Sequence, residues 1–194
     1  YRFQKLATPP MESDVSTPSG FSALPAETTN ILFVNHLSEE DIVKNQNFMN
    51  GSGVSAGDFN GDGLYDLYFC SIRGSNALYQ NLGDWIFKDI TRQSGLELAG
   101  LASTGSTFAH LNEDNHLDLL VTTLGNGVHS FINQGNGKFI ETTVNAGLAS
   151  KAGSTSMALG DVDLDGDLDL YVANYGEIPI VNSGGGAKLK RING

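Results

Sequence analysis

Residues 161–169 read Asp-Val-Asp-Leu-Asp-Gly-Asp-Leu-Asp, five aspartates at alternate positions with one glycine sixth in line. Carboxylates packed so closely repel one another unless a counter-ion joins them. Calcium is suited to that role, because it takes about six to eight oxygen ligands at ~2.3–2.6 Å in a flexible geometry. Asp161, Asp163, Asp165 and Asp169 would offer carboxylates, Asp167 its backbone carbonyl, and Gly166 the tight turn between them. A solvated acidic loop is the plain alternative. Recurrence argues against it: Asp58-Phe59-Asn60-Gly61-Asp62-Gly63-Leu64-Tyr65-Asp66 carries the same phase, and His110-Leu111-Asn112-Glu113-Asp114-Asn115-His116-Leu117-Asp118 an eroded one. An EF-hand loop begins similarly but needs a bidentate glutamate at its twelfth position and a following helix. Here that position is Phe69, Val121 or Val172, each in an apolar run.

The elements that would carry these loops are short strands. The ninth-position aspartates fall at 66, 118 and 169, giving periods of 52 and 51 residues. The rest of each unit repeats too: Asn81-Leu82-Gly83 with Phe87 answers to Asn133-Gln134-Gly135 with Phe139, and Gly95-Leu96 to Gly147-Leu148. In the first unit, apolar runs separated by Gly and Asn turns predict strands over 53–58, 65–71, 77–80 and 85–91, without helical periodicity. Four strands per unit of about this length is the pattern of a β-propeller blade, which needs neighbours on both faces. The expected fold is therefore all-β, with blades of four antiparallel strands. Units are expected over about 50–101, 102–152 and 153–194, the last incomplete. A closed ring has ~4–8 blades, so residues 30–194 read as a segment of a longer ring. Residues 1–29 hold four of the five prolines among Ser and Thr, and read as an arm or linker. Ile31-Leu32-Phe33-Val34 is a short strand candidate, and Ser38-Glu39-Glu40-Asp41 a helix-start or turn signal.

Composition narrows the function. The formal net charge is −11 in 194 residues, which argues against nucleic acid and against an anionic membrane surface. Cys70 is the only cysteine and lies in an apolar run, so no intrachain disulfide forms and a buried thiol is expected. No run approaches the ~18 apolar residues of a membrane span. The chain lacks a starting Met and a signal-like apolar core, so any export signal would lie outside it.

The loop pattern between two strands resembles the calcium loop of FG-GAP repeats in integrin α-subunit propellers. The string Asn76-Ala77-Leu78-Tyr79-Gln80-Asn81-Leu82-Gly83, with Phe87-Lys88-Asp89-Ile90-Thr91 and Gly95-Leu96, is similar to repeat proteins grouped as VCBS-repeat, ASPIC/UnbV or cartilage-acidic-protein-like. The likeness runs over about residues 31–175. It implies a secreted, periplasmic or cell-surface propeller of about seven blades, with structural Ca²⁺ between the first two strands of each blade and no catalytic role for the propeller itself. A protein or carbohydrate partner is implied, and the remaining blades would come from the rest of the chain. Carried across, the first loop would use Asp58, Asn60, Asp62, the Leu64 carbonyl and Asp66. The third would use Asp161, Asp163, Asp165, the Asp167 carbonyl and Asp169. The second keeps Asn112, Asp114, the backbone position at His116 and Asp118. It has His110 at position 1 and Asn115 for the glycine, and imidazole is a poor ligand for calcium. Two ions are expected, and the middle loop stands between a weak third site and a metal-free turn held by hydrogen bonds.

Other strings are weaker. Gly53-Val54-Ser55-Ala56-Gly57 matches a nucleophile elbow, but an aspartate loop follows in place of a helix, and Ser55 becomes Thr107 and Ala158 in the other units. An enzyme whose active site lies on a propeller face or beyond residue 194 is the alternative reading. Gly184-Gly185-Gly186 reads as a turn, as does Arg73-Gly74-Ser75. His36, His110, His116 and His129 lack zinc spacing, and the His116 side chain is expected to point outward. Tyr68, Trp85, Phe87, Phe131 and Phe139 are expected in the core between blades, with Trp85 also a candidate stacking surface.

Overall fold

A computed structural model describes residues 22–175. Strands β1 (Val54–Gly57), β2 (Asp66–Phe69), β3 (Ala77–Asn81) and β4 (Phe87–Asp89) form one antiparallel sheet in chain order. Strands β5 (Ala102–Ala109), β6 (Asp118–Leu124), β7 (Gly127–Asn133) and β8 (Phe139–Glu141) repeat that order. Strands β9 (Gly153–Gly160) and β10 (Asp169–Tyr175) form the hairpin that opens a third unit. These are propeller blades, two of them complete. The remainder of the third unit, the arm before residue 22 and the Gly184–Gly186 turn lie outside the described residues.

The inner strands of successive blades run side by side. The Gly53 N–H donates to the Thr104 carbonyl at 2.9 Å, and Thr104 Oγ1 donates to the Ser154 carbonyl at 2.7 Å. Glycine permits the approach: a Cβ on Gly53 would lie 3.0 Å from the Gly105 Cα, and one on Gly57 2.9 Å from the Phe108 ring. Ser55 is an inner-strand residue, its Oγ 2.9 Å from Ser106 Oγ.

Burial follows how many blades flank each sheet. Strand β6 lies between two blades and is buried at every position, so its Leu-Leu-Val-Thr-Thr-Leu run does not alternate. Strand β2 alternates buried and half-buried, and β10 is mostly exposed. The main core joins the first two blades: Phe59, Tyr68, Cys70, Leu78, Ile90 and Leu96 of one meet Leu119, Val121, Phe131 and Phe139 of the other. Each fully buried large side chain contributes about 1.5–3 kcal/mol.

Several sequence expectations are corrected. The fourth strand of the first blade is shorter than 85–91, because Asp84 and Trp85 adopt positive φ in the preceding turn and Thr91 opens the helical turn α3 (Thr91–Ser94). Trp85 is consequently exposed and outside the core. Ile31–Val34 is not a strand: Ile31 and Phe33 pack onto the first blade while Leu32 and Val34 face solvent, without backbone pairing. Before it, Ala26–Thr29 forms the helical turn α1 with Thr29 buried. The Ser38 signal marks a helix start, since α2 (Glu39–Lys44) opens with a capping box between Ser38 and Asp41. Asp41 also pairs with Arg73, whose guanidinium lies over the Phe48 ring and so ties this region to the first blade.

Candidate metal loops and the contacts that hold them

Each loop lies in the turn between the first and second strands of its blade. In the third, one carboxylate oxygen each from Asp161, Asp163 and Asp169 lies within 4.8 Å of the others, the only such group of three among the described residues. Asp161 accepts from the Asp165 and Gly166 N–H groups, both at 3.1 Å, and Asp165 accepts from the Asp167 N–H at 2.9 Å. The first loop folds the same way. Asp58 accepts from the Gly61, Asp62 and Gly63 N–H groups at 2.8, 3.1 and 2.8 Å, and Asp62 from the Leu64 N–H at 2.9 Å. These turns need left-handed backbone at the fourth and sixth positions. Gly61 and Gly63 supply it at φ 75° and 85°, Leu164 and Gly166 at 65° and 98°.

The ninth-position aspartate differs from the rest. Asp66 is fully buried and takes the Phe59 N–H at 3.2 Å on one oxygen and the Asn81 N–H at 2.8 Å on the other. Asp118 repeats this with the Leu111 N–H at 2.9 Å and the Asn133 N–H at 2.8 Å. Asp169 takes the Val162 N–H at 2.9 Å. One carboxylate thus fastens the start of the loop to the second strand and, in both complete blades, to the end of the third. Burial raises the Asp66 carboxyl to about 6, the backbone donors opposing it, and raises Asp118 in the same direction.

The second-position residue then carries the loop into the neighbouring blade. Phe59 packs in the main core with its ring centroid 5.9 Å from that of Phe139, and its carbonyl accepts from Asn133 Nδ2 at 2.8 Å. Asn133 also donates to the Leu117 carbonyl at 3.0 Å and accepts from the Gly135 N–H at 3.0 Å. Asn81 repeats the latter two contacts in the first blade, with the Tyr65 carbonyl and the Gly83 N–H. The repeat of Asn81 and Asn133 is visible in the sequence, but their use in bracing the loop is not. Phe59 carries no signal beyond an apolar residue between two candidate ligand positions.

The middle loop is built differently. His110 replaces the first aspartate, and its Nδ1 lies 3.0 Å from the His116 carbonyl, the seventh-position oxygen. As the N–H tautomer, the ring joins directly two positions that would otherwise meet through an ion. Asn115 keeps the left-handed sixth position at φ 61°, but Glu113 at the fourth does not adopt positive φ. Asn112 and Asp114 remain in place, with Asn112 Nδ2 2.9 Å from Asp114 Oδ2. The His116 side chain does not point outward: it is half-buried against the Gly135 turn, where a Cβ would come 2.5 Å from its Nε2. Of the other candidates, His129 bonds Glu141 at 2.8 Å across the β7–β8 pair. Cys70 is buried, with its thiol raised to about 11 by desolvation.

Antiparallel four-stranded units with an oxygen-rich turn between their first two strands define a propeller-repeat protein with aspartate loops. The FG-GAP-like repeat matches residues 58–121 and again 110–172, more than half of the chain, and the protein belongs to that family. No curated protein matches the chain closely enough to count as a relative. Among the described residues no helix is long and apolar enough to cross a membrane.

Proposed function

We propose that the chain is a calcium-stabilised segment of a β-propeller of the ASPIC/UnbV, cartilage-acidic-protein-like kind. It works outside the cytoplasm, in the extracellular space, the periplasm or at the cell surface, as a module for binding or scaffolding a protein or carbohydrate partner. The observation that carries the metal reading is the convergence of Asp161, Asp163 and Asp169 within 4.8 Å. Two oxygens on opposite sides of one calcium at ~2.4 Å are themselves ~4.8 Å apart, so the spacing suits a common ion. The donor set is oxygen only, as a hard cation requires. Asp165 and the Asp167 carbonyl complete the third site; Asp58, Asn60, Asp62, the Leu64 carbonyl and Asp66 form the first. Calcium supplies counter-charge to the carboxylates, while the chain's own N–H groups hold those carboxylates in place. The middle loop fits an ion poorly, because the His110 ring occupies the position of the first carboxylate. The extracellular binding role follows from the family resemblance and the acidic, loop-bearing repeat.

Thermal melting in excess calcium and in EDTA tests the metal reading. A ligand at a hundred times its Kd stabilises by ~2.7 kcal/mol per site, so two sites predict an upward shift of the order of 10 °C. An unchanged melting curve would overturn it. Asp163→Ala is expected to remove about half of that shift, and Asp114→Ala to leave it intact. The middle loop is also expected to be convertible: His110→Asp combined with Glu113→Gly restores the first carboxylate and the left-handed fourth position. Titration of that variant is expected to reach three calcium ions in place of two.

A further inference from the structure

We propose that Ala26–Phe33 is the closing element of a further blade, seated on the first blade as Thr91–Leu98 is seated on the second. The inference rests on the propeller fold and is independent of the calcium reading. Two sets of observations carry it, one local and one from packing.

Locally, the two segments have the same design 65 residues apart. Each is a four-residue helical turn, Ala26–Thr29 or Thr91–Ser94, with the last helical residue buried. Each ends on a left-handed residue, Asn30 at φ 60° or Gly95 at φ 79°, whose N–H donates back to the first residue of the turn. Apolar residues then follow at the first and third positions, Ile31 and Phe33 in one and Leu96 and Leu98 in the other.

The packing agrees. Leu96 and Leu98 belong to the core containing Leu119, Val121, Phe131 and Phe139 of the second blade. Ile31 and Phe33 belong to the cluster containing Leu67, Phe69, Tyr79 and Phe87 of the first. Those four are the counterparts of the former four, each 52 residues earlier. The Phe33 and Phe69 rings stack at 5.1 Å, Asn30 Nδ2 donates to the Phe87 carbonyl at 3.2 Å, and the Leu32 N–H donates to Tyr79 Oη at 3.2 Å. The outward face of the first blade is therefore an interblade face, of which Ile31 and Phe33 cover one part. Its occupant is a blade of this same repeat, with Ser22–Leu24 in the place of its fourth strand, as β4 precedes α3. Those three residues are exposed and unpaired as strand in the described chain, as an outer strand without its third-strand neighbour would be.

The test is a graft in the 194-residue protein. One variant carries the sequence of residues 91–98 at positions 26–33, and a control carries the same eight residues in reverse order. The graft is expected to melt within about 5 °C of the unaltered protein, and the control about 10 °C or more below it. Equal melting of graft and control, whether both low or both unchanged, would overturn the equivalence. Phe33→Asp gives an independent reading, expected to fall with the reversed control; a melting point unchanged by it would also count against the proposal.

Discussion

Asp118→Ala is expected to destabilise the protein by about 3–5 kcal/mol, since two backbone donors inside the fold lose their acceptor at ~1–3 kcal/mol each. The side chain is fully buried, and its oxygens hold the Leu111 and Asn133 N–H groups at 2.9 and 2.8 Å. A loss of that size is a large part of the ~5–15 kcal/mol that keeps a domain folded. With the His110 ring on the His116 carbonyl and, on the reading proposed above, no ion in the middle loop, the loss is expected to be the same in calcium and in EDTA. Denaturant unfolding in both buffers measures it. Asp118→Asn, which keeps one acceptor oxygen, is expected to fall between the two. A cost below about 1 kcal/mol for Asp118→Ala, the level of a surface change, would mean that the buried carboxylate does not fasten the loop.

Asn133→Ala is the second large effect, expected at about 2–4 kcal/mol. Its amide joins the Phe59 carbonyl of one blade to the Leu117 carbonyl of the next and accepts from the Gly135 N–H. Truncation leaves the Phe59 carbonyl without its partner inside the fold and removes the brace on the partly buried Leu117 carbonyl and Gly135 N–H. Asn133→Asp is expected to be worse than alanine, because a carboxylate facing two carbonyls repels both and adds charge beside Asp118. The change also loosens Phe59, which sits between Asp58 and Asn60, the first two proposed ligands of the first loop. Asn133→Ala is therefore expected to weaken calcium binding at the first loop while leaving the third loop's affinity within about twofold. Equal weakening at both loops would indicate general unfolding in place of a specific brace.

Much of this architecture is legible in the chain because the repeat is spelled out by residues with strong local preferences. Aspartates at alternate positions, glycines at the turn, and apolar runs on either side fix where one strand ends and the next begins. The strands of the first blade start and end within about two residues of their expected bounds. What was not legible is what depends on neighbours. Trp85 looks like a core residue by type, but a turn with three successive positive-φ residues, Gly83, Asp84 and Trp85, delivers it to solvent. Ile31–Val34 looks like a strand by composition, but it has no strand partner and is held by the Ile31 and Phe33 side chains and by the Leu32 N–H on Tyr79 Oη. His116 matches the loop pattern only by its backbone position, which suggests an outward side chain, yet Gly135 leaves a hollow that the ring occupies. Asp66 and Asp118 look like ligands equivalent to the others of their loops, and only the fold reveals that they are buried and bonded to backbone N–H groups on both oxygens.

On the reading proposed above, the first and third loops hold calcium and the middle loop does not. Calorimetric titration of the calcium-stripped protein tests it most directly, with the stoichiometry as the readout. Two ions per chain are predicted for the unaltered protein, and one for Asp163→Ala. No binding, or binding that Asp163→Ala leaves unchanged, would contradict the account.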